Sequence, residues 1–359
     1  MKRALLAAGS AAAALVLGEA AVRLFNLGPD VFHVELGMVT LSSDPELRYE
    51  LVPGFQNPSK DVLVNALGMR DVERTTARAP GALRVACVGD SIAFGMGADN
   101  RHTFPVHLER ILGGHPSLSG RPVEVLNFGV PGYAIGQVAQ TLETKVSGFH
   151  PDLVLYLFSL NDAQRYSQEL DLLLTRSALT SPDRNYVKAL WRQSSRRLGG
   201  SRLWLILNHT AAGFFGSRES PPDQNLMPHP RNDMFQLLAG NGIAFYASLY
   251  MEPEAWLRVC RGLERIRAWS LERNIPVYVI IMPVFSDADD RTLAALHHRV
   301  AEQARSLDLP VMDLLDMFRR RATDLGRRLN SDLLHPNALG YEEAAQAVAR
   351  RLLSEGVLP

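Results

Sequence analysis

The stretch Leu83-Arg-Val-Ala-Cys-Val-Gly-Asp-Ser91 decides the fold class of this 359-residue chain. Its first six residues form a mostly apolar run, which is typical of a strand covered on both faces, and a polar turn follows at once. Four similar runs lie at residues 123–127, 152–158, 276–282 and 309–313, and segments with helical spacing separate them. This alternation predicts an α/β fold: a three-layer α/β/α sandwich around a central five-stranded parallel sheet, flavodoxin-like in its class.

The same pattern divides the chain into segments. Residues 81–359 carry the alternation, and an interruption at about 163–250 predicts a helical and loop insertion after the third strand. Residues 26–80 contain five prolines and scattered polar side chains, which predict an irregular stem.

The first 25 residues read as a membrane segment. Lys2 and Arg3 precede an apolar run at residues 4–18, which is typical of an export signal or an uncleaved signal anchor. Glu19 interrupts the small-residue site that a signal peptidase requires, so the sequence favours an anchor. The positive residues place the rest of the chain on the periplasmic side of the cytoplasmic membrane. Secretion after cleavage is the alternative.

Composition narrows the possible partners. Lys and Arg together number 38, as do Asp and Glu, so no basic field favours a nucleic-acid partner. Two cysteines, Cys87 and Cys260, are too few for a disulfide framework or a zinc site. We expect neither a metal nor an organic cofactor.

Polar clusters follow the first three predicted strands. Gly89-Asp90-Ser91 follows the first, residues 127–133 the second, and Asn161-Asp162 the third. The carboxyl ends of parallel strands share one edge of a sheet, so these clusters are expected to converge. Each cluster alone could be a turn followed by a helix cap.

A second motif supplies the base that a nucleophilic Ser91 would need. In Asp332-Leu-Leu-His335-Pro336, one tight turn brings the carboxylate to the imidazole Nδ1 and leaves Nε2 to accept the proton of Ser91. The alternative is that His335 only precedes a helix that begins with Pro336.

These blocks, in this order, resemble those of the SGNH/GDSL hydrolase family. The resemblance implies that Ser91, His335 and Asp332 form a catalytic triad, and that Ser91, Gly132 and Asn161 supply the oxyanion donors. It implies that Asp162 holds its loop in shape. The third block departs from the family pattern, because Ser159 stands where a glycine is usual, which requires an ordinary backbone conformation at that position.

The first 70 residues indicate one group of members within this family. Tyr49-Glu-Leu-Val-Pro-Gly54 and Asn65-Ala-Leu-Gly-Met-Arg70, after the anchor, look like membrane-anchored bacterial members of the family. This implies a serine esterase acting on a small ester or on a cell-surface polysaccharide or lipid. A polysaccharide O-acetyltransferase using the same triad is the alternative, and a non-catalytic binding or assembly protein that retains the fold is the second.

Overall fold

The computed structural model describes residues 10, 14–18, 20–21, 38–57, 61–164, 242–285 and 290–358. Residues 40–171 and 231–359 form one compact unit, to which the sheet and the site belong. The second unit, residues 1–39 and 172–230, lies almost entirely outside the described residues, as do most of the predicted anchor and most of the predicted insertion. Within the described residues, no helix combines the length and apolar character needed to cross a membrane. The three-segment division of the chain stays a prediction.

Nine strands form within the described ranges. Four short ones lie in the stem: β1 (Val39–Leu41), β2 (Tyr49–Leu51), β3 (Gln56–Asn57) and β4 (Val62–Leu63). The other five are β5 (Leu83–Gly89), β6 (Val123–Gly129), β7 (Leu153–Phe158), β8 (Val277–Ile281) and β9 (Val311–Asp313). The stem pairs β1 with β2 and β3 with β4, so its described part is less irregular than its prolines suggest.

The five later strands confirm the predicted central sheet. They lie in the order β6-β5-β7-β8-β9 and every neighbouring pair is parallel. Numbered along the chain, this is the order 2-1-3-4-5 of flavodoxin-like sheets, and the crossovers change direction between β5 and β7. The register aligns Gly89 with Gly129 on one side and with Leu157 on the other, so the three carboxyl ends are level.

Helices cover both faces of this sheet. They are α1 (Ser91–Phe94), α2 (Phe104–Gly113), α3 (Ile135–Thr144), α4 (Gly242–Met251), α5 (Pro253–Arg273), α6 (Asp290–Ser306), α7 (Leu315–Leu325) and α8 (Ala338–Ser354). One face packs against α2, α7 and α8, and the other against α3, α5 and α6. A 3-10 turn at Val146–Phe149 follows α3 and precedes β7.

The strand residues alternate between these two layers. Leu83, Val85 and Cys87 of β5 belong to one core cluster with Phe104 of α2 and Val348 of α8. Every residue of β7 is buried, which explains why the central strands appear in the sequence as continuous apolar runs.

The outer edge of β6 is closed by side chains. The Val125 N–H donates to Glu109 Oε2 at 2.7 Å, and the Asn127 N–H donates to Asp71 Oδ2 at 3.3 Å. Arg74 binds both carboxylates, at 2.9 Å from Asp71 and 2.7 Å from Glu109. Two acidic side chains therefore take the hydrogen bonds that a sixth strand would otherwise accept on this edge.

Candidate active site

Ser91 lies at the start of the short helix α1, directly after the central strand β5. Asp90, and not Ser91, caps this helix: its Oδ1 accepts the N–H of Ile92 at 2.9 Å. The Ser91 carbonyl accepts the N–H groups of Gly95 at 3.0 Å and Met96 at 2.9 Å. These bonds fix the backbone of Ser91, while its own N–H lies at the unpaired start of the helix.

His335 connects Ser91 to Asp332 through its two ring nitrogens. The His335 Nε2 lies 2.8 Å from Ser91 Oγ, and Nδ1 lies 2.8 Å from Asp332 Oδ2. A carboxylate only accepts, so Nδ1 carries the hydrogen and Nε2 of the neutral ring accepts from the Ser91 hydroxyl. The structure thus brings these three residues together, although Ser91 and His335 lie 244 positions apart in the sequence.

A tight turn holds the Asp332 carboxylate. Its Oδ1 accepts the backbone N–H groups of Leu334 and His335, each at 2.8 Å. Burial works to raise the pKa of Asp332, but the hydrogen bond and charge of His335 and these backbone N–H groups outweigh it and lower the pKa to about 2. Asp332 is therefore ionised at any pH near neutrality.

Asn161 lies in a 3-10 turn, Leu160–Ala163, after β7. Its Nδ2 donates to Asp90 Oδ2 at 2.8 Å, which determines the orientation of the amide, because only the nitrogen can face a carboxylate oxygen. One amide hydrogen remains for another acceptor. Ser159, at the position where glycine is usual, has φ −125° and ψ 154°, an ordinary extended conformation. The departure from the family pattern therefore introduces no backbone strain.

Gly132 lies in the turn after β6. The Val130 N–H donates to the Gly89 carbonyl at 3.1 Å, which holds this turn beside the turn that carries Ser91. Gly132 has φ +74°, a conformation that favours glycine. Across the described ranges, neither the N–H of Gly132 nor that of Ser91 has an acceptor within the protein.

The site lies at the point where the strand order reverses. Ser91 follows β5 and Asn161 follows β7, and the Asn161–Asp90 bond joins these two neighbouring strand ends. Open α/β sheets bind their ligands at such a point, because the two diverging crossovers leave a crevice there. The convergence expected from the sequence is therefore present at the level of the backbone and of these side chains.

Two buried carboxyl groups lie behind the site. Burial raises the pKa of Asp90, against the hydrogen bonds from Ile92 and Asn161. Burial, together with the nearby charge of Asp90, raises the pKa of Asp162 well above its ordinary value. Asp162 Oδ2 accepts the Tyr156 hydroxyl at 2.5 Å and the Ser159 N–H at 3.4 Å, so Asp162 supports the turn that presents Asn161.

The sequence did not predict the double role of Asp90, which caps α1 and orients Asn161. Its position directly before a helix start is the signal for the first role. No group of three or more His, Cys, Asp or Glu side chains in the described part of the chain could hold a metal ion.

Serine, histidine and aspartate hydrogen-bonded in series at the carboxyl edge of a parallel α/β sheet have the arrangement that serine hydrolases use. The chain belongs to the GDSL-like lipase/acylhydrolase family, whose sequence profile matches residues 87–343. Its enzyme class is accordingly that of hydrolases acting on acyl esters.

The chain is also similar to solved structures. A two-domain esterase active on acetylated mannans aligns at 13% identity and a TM-score of 0.40, over 77% of this chain and 50% of that one. This chain thus spans about half the length of that esterase. The lipase/acylhydrolase from Enterococcus faecalis aligns at 18% identity and a TM-score of 0.40, over 77% and 97% of the two chains. An acetyl xylan esterase aligns at 13% identity and a TM-score of 0.39, over 76% and 99%. No curated protein matches the sequence significantly.

Proposed function

We propose that this chain hydrolyses an acyl ester through a covalent intermediate on Ser91. His335 Nε2 takes the hydroxyl proton as Ser91 Oγ attacks the acyl carbon. The bond to the leaving alcohol then breaks, and His335 returns the proton to the alcohol oxygen. In the second half, His335 takes a proton from water, the resulting hydroxide attacks the acyl-enzyme, and Ser91 Oγ leaves with the proton.

The negative oxygen formed in each attack needs preorganised donors. We assign this role to the backbone N–H groups of Ser91 and Gly132 and to the second amide hydrogen of Asn161. The support is that both N–H groups have no acceptor in the described protein and that Asp90 orients the amide. Removing one such donor typically slows catalysis by about 10²–10³-fold.

The observation that carries the proposal is the continuous series Asp332–His335–Ser91, with 2.8 Å at each of its two junctions. Asp332 holds the imidazole in the tautomer that accepts from the serine, so the nucleophile is activated without further rearrangement.

Labelling with a fluorophosphonate and hydrolysis of an ester panel test the assignment. The panel contains nitrophenyl esters of increasing acyl length and acetylated oligosaccharides. The unaltered protein should be labelled and active, and Ser91→Ala should lose both properties. Ser306→Ala is the matched control, because Ser306 is an exposed serine whose hydroxyl only donates to the Gln303 carbonyl. Labelling that persists in Ser91→Ala would overturn the assignment.

The same site would transfer the acyl group to an alcohol if the alcohol replaced water in the second half of the reaction. Product analysis of an acyl donor with and without an oligosaccharide distinguishes the two outcomes. An acylated oligosaccharide would identify an acyltransferase, and free acid alone identifies the proposed esterase.

We also propose that residues 1–25 anchor the chain in the cytoplasmic membrane and that the hydrolase domain acts on the periplasmic side. The support is Lys2 and Arg3 before the apolar run at residues 4–18. The accessible substrates would then be small esters or cell-surface polysaccharides and lipids. Fractionation combined with protease accessibility tests this. Recovery in the cytoplasm contradicts it, and a mature N-terminus after residue 20 would show cleavage and secretion.

A further inference from the structure

A short backbone segment connects the helix of Ser91 to the loop of His335. It consists of residues 94–98, which we call the 94–98 bridge. It begins at Phe94, the last residue of α1. At its centre, the Met96 carbonyl accepts the hydroxyl of Tyr341, a fully buried residue of α8, at 2.7 Å. Because α8 follows directly after the His335 loop, this bond joins the nucleophile side of the site to the base side.

Gly97 brings the bridge into direct contact with the His335 loop. It has φ +86°, and a Cβ atom added there would lie 2.3 Å from Ser331 Oγ and 2.5 Å from the Pro336 carbonyl oxygen. Ser331 in turn donates its backbone N–H to the His335 carbonyl at 2.9 Å. A shift of the bridge therefore displaces the loop that carries Asp332 and His335.

Arg70 of the stem holds the other side of the bridge. Its Nη1 donates to the Gly95 carbonyl at 2.7 Å and to the Phe94 carbonyl at 3.4 Å, and its Nη2 donates to the Ala98 carbonyl at 2.7 Å. Its Nε donates to Asn100 Oδ1 at 3.1 Å, and the guanidinium lies 4.8 Å from the centre of the Phe94 ring. One planar fork thus binds both ends of the bridge, which a lysine ammonium could not do.

The side chain is almost completely enclosed. Arg70 is 3% exposed, and burial lowers its pKa to about 10, so that it stays charged near neutrality. A buried guanidinium bound to three backbone carbonyls constrains their positions strongly, because releasing any one of them would leave a charged donor unpaired.

We propose that Arg70 is a positioning residue for the ester hydrolysis: it keeps the 94–98 bridge in the conformation in which Ser91 and His335 meet, although it touches neither. This inference rests on the proposed roles of Ser91 and His335. It gives the stem a function in the reaction, since Arg70 lies outside the residues that form the sheet and its helices.

The chain offers a matched control. Arg84 is 1% exposed and also binds backbone carbonyls, those of Thr76 and Phe149 at 2.9 Å each, together with Glu124 at 2.7 Å. It lies near the amino end of β5, five residues before Gly89, which corresponds to about 17 Å of extended strand. Replacing either arginine removes equivalent buried bonds, but only Arg70 contacts the bridge.

The experiment compares Arg70→Lys and Arg70→Ala with Arg84→Lys. It measures kcat, KM, the rate of fluorophosphonate labelling and thermal stability. If Arg70 positions the site, both Arg70 variants lose kcat and labelling rate on the order of 10²-fold with KM little changed, since small misplacements have such effects. Guanidinium ion, well below denaturing concentrations, should restore part of the activity of Arg70→Ala, whereas sodium chloride of equal ionic strength should not. Arg84→Lys should lose stability but keep kcat.

Tyr341→Phe tests the same bridge without a large cavity. It removes only the hydroxyl bonded to Met96, and it should lower kcat and the labelling rate while the protein remains folded. Parental kcat in folded Arg70 and Tyr341 variants, or an equal loss in Arg84→Lys, overturns the inference. Equal labelling of the unaltered protein and of Ser91→Ala would instead contradict the proposed function, so the two failures are distinguishable.

Discussion

Asn161 donates its side-chain amide to the buried carboxylate of Asp90 at 2.8 Å, and this bond joins the ends of two neighbouring strands. The same carboxylate accepts the N–H of Ile92 and so begins the helix of Ser91. One side chain therefore sets the backbone of Ser91, the proposed nucleophile, and the orientation of Asn161, a proposed oxyanion donor. The relative position of Ser91 and Asn161 consequently depends on Asp90.

Asp90→Asn should disrupt one of these two contacts. Whichever way the new amide is placed, its NH2 group faces either the Asn161 amide or the Ile92 N–H, and both of these are donors. We expect kcat to fall on the order of 10²-fold with a smaller change in KM, because Asn161, a proposed oxyanion donor, loses its orientation. Steady-state kinetics with a circular dichroism check of folding measures this. Parental kcat in the folded variant would show that Asp90 does not orient Asn161.

Asp332→Asn should leave the fold intact and nearly abolish turnover. The carboxamide can still accept the backbone N–H groups of Leu334 and His335, but it no longer holds His335 in the tautomer that accepts from Ser91. We expect kcat to fall about 10³–10⁴-fold. Rates of ester hydrolysis and of fluorophosphonate labelling should fall together. A loss of less than about tenfold contradicts the role assigned to Asp332.

Asp162→Asn should be tolerated. Burial raises the pKa of Asp162, which favours the neutral carboxylic acid, and a carboxamide has nearly the same shape. Its oxygen can accept from the Tyr156 hydroxyl and the Ser159 N–H. Asp162→Ala leaves both donors buried without an acceptor and should cost about 1–3 kcal/mol for each of them in the free energy of unfolding. Chemical denaturation of the two variants measures the difference, and a strong loss of kcat in Asp162→Asn would assign this residue a direct catalytic role.

Asp71 should make stability depend on pH. Burial raises its pKa to about 6 in the folded protein, despite the charge of Arg74 and the N–H of Asn127. The folded state therefore binds a proton more tightly than the unfolded chain, whose carboxyl has a pKa of about 3.9. This contribution to stability is fully present below pH 3.9 and is lost as the pH rises to 6, and it amounts to about 3 kcal/mol.

The test compares unfolding free energies of the unaltered protein and Asp71→Asn at pH 4.5 and pH 7.5. Asp71→Asn lacks the ionisation, so its stability relative to the unaltered protein should be higher at pH 7.5. Glu109→Gln is the control, because it alters the same edge without removing Asp71. A difference between the Asp71→Asn and unaltered proteins that does not change with pH would show that Asp71 does not titrate in this range.

The central strands could be predicted because β5, β7 and β8 are buried on both faces and therefore appear in the sequence as apolar runs, and the edge strands β6 and β9 are still mostly apolar. The four-residue helix α1 could not, since four residues are too few to show a helical period. The order of the strands is also absent from the pattern. Alternation indicates parallel strands, but the side on which each crossover packs is decided by contacts between helices and sheet.

Within the site, the turn from Asp332 to His335 could be predicted from the sequence because both residues lie within one local motif. The contact between Asp90 and Asn161 requires β5 and β7 to be neighbours, which only the strand order provides. The role proposed for Arg70 was even harder to predict from the sequence. Most of its partners are backbone carbonyls. Every residue type carries one, so the residue types at these positions do not indicate the contact.

The acidic closure of β6 has a consequence for assembly. A strand from another molecule, or an extended peptide, cannot add to that side of the sheet without first displacing Glu109 and Asp71 from Val125 and Asn127 and breaking their contacts with Arg74. The sheet is therefore protected from edge-to-edge aggregation on this flank, where three charged side chains act as gatekeepers.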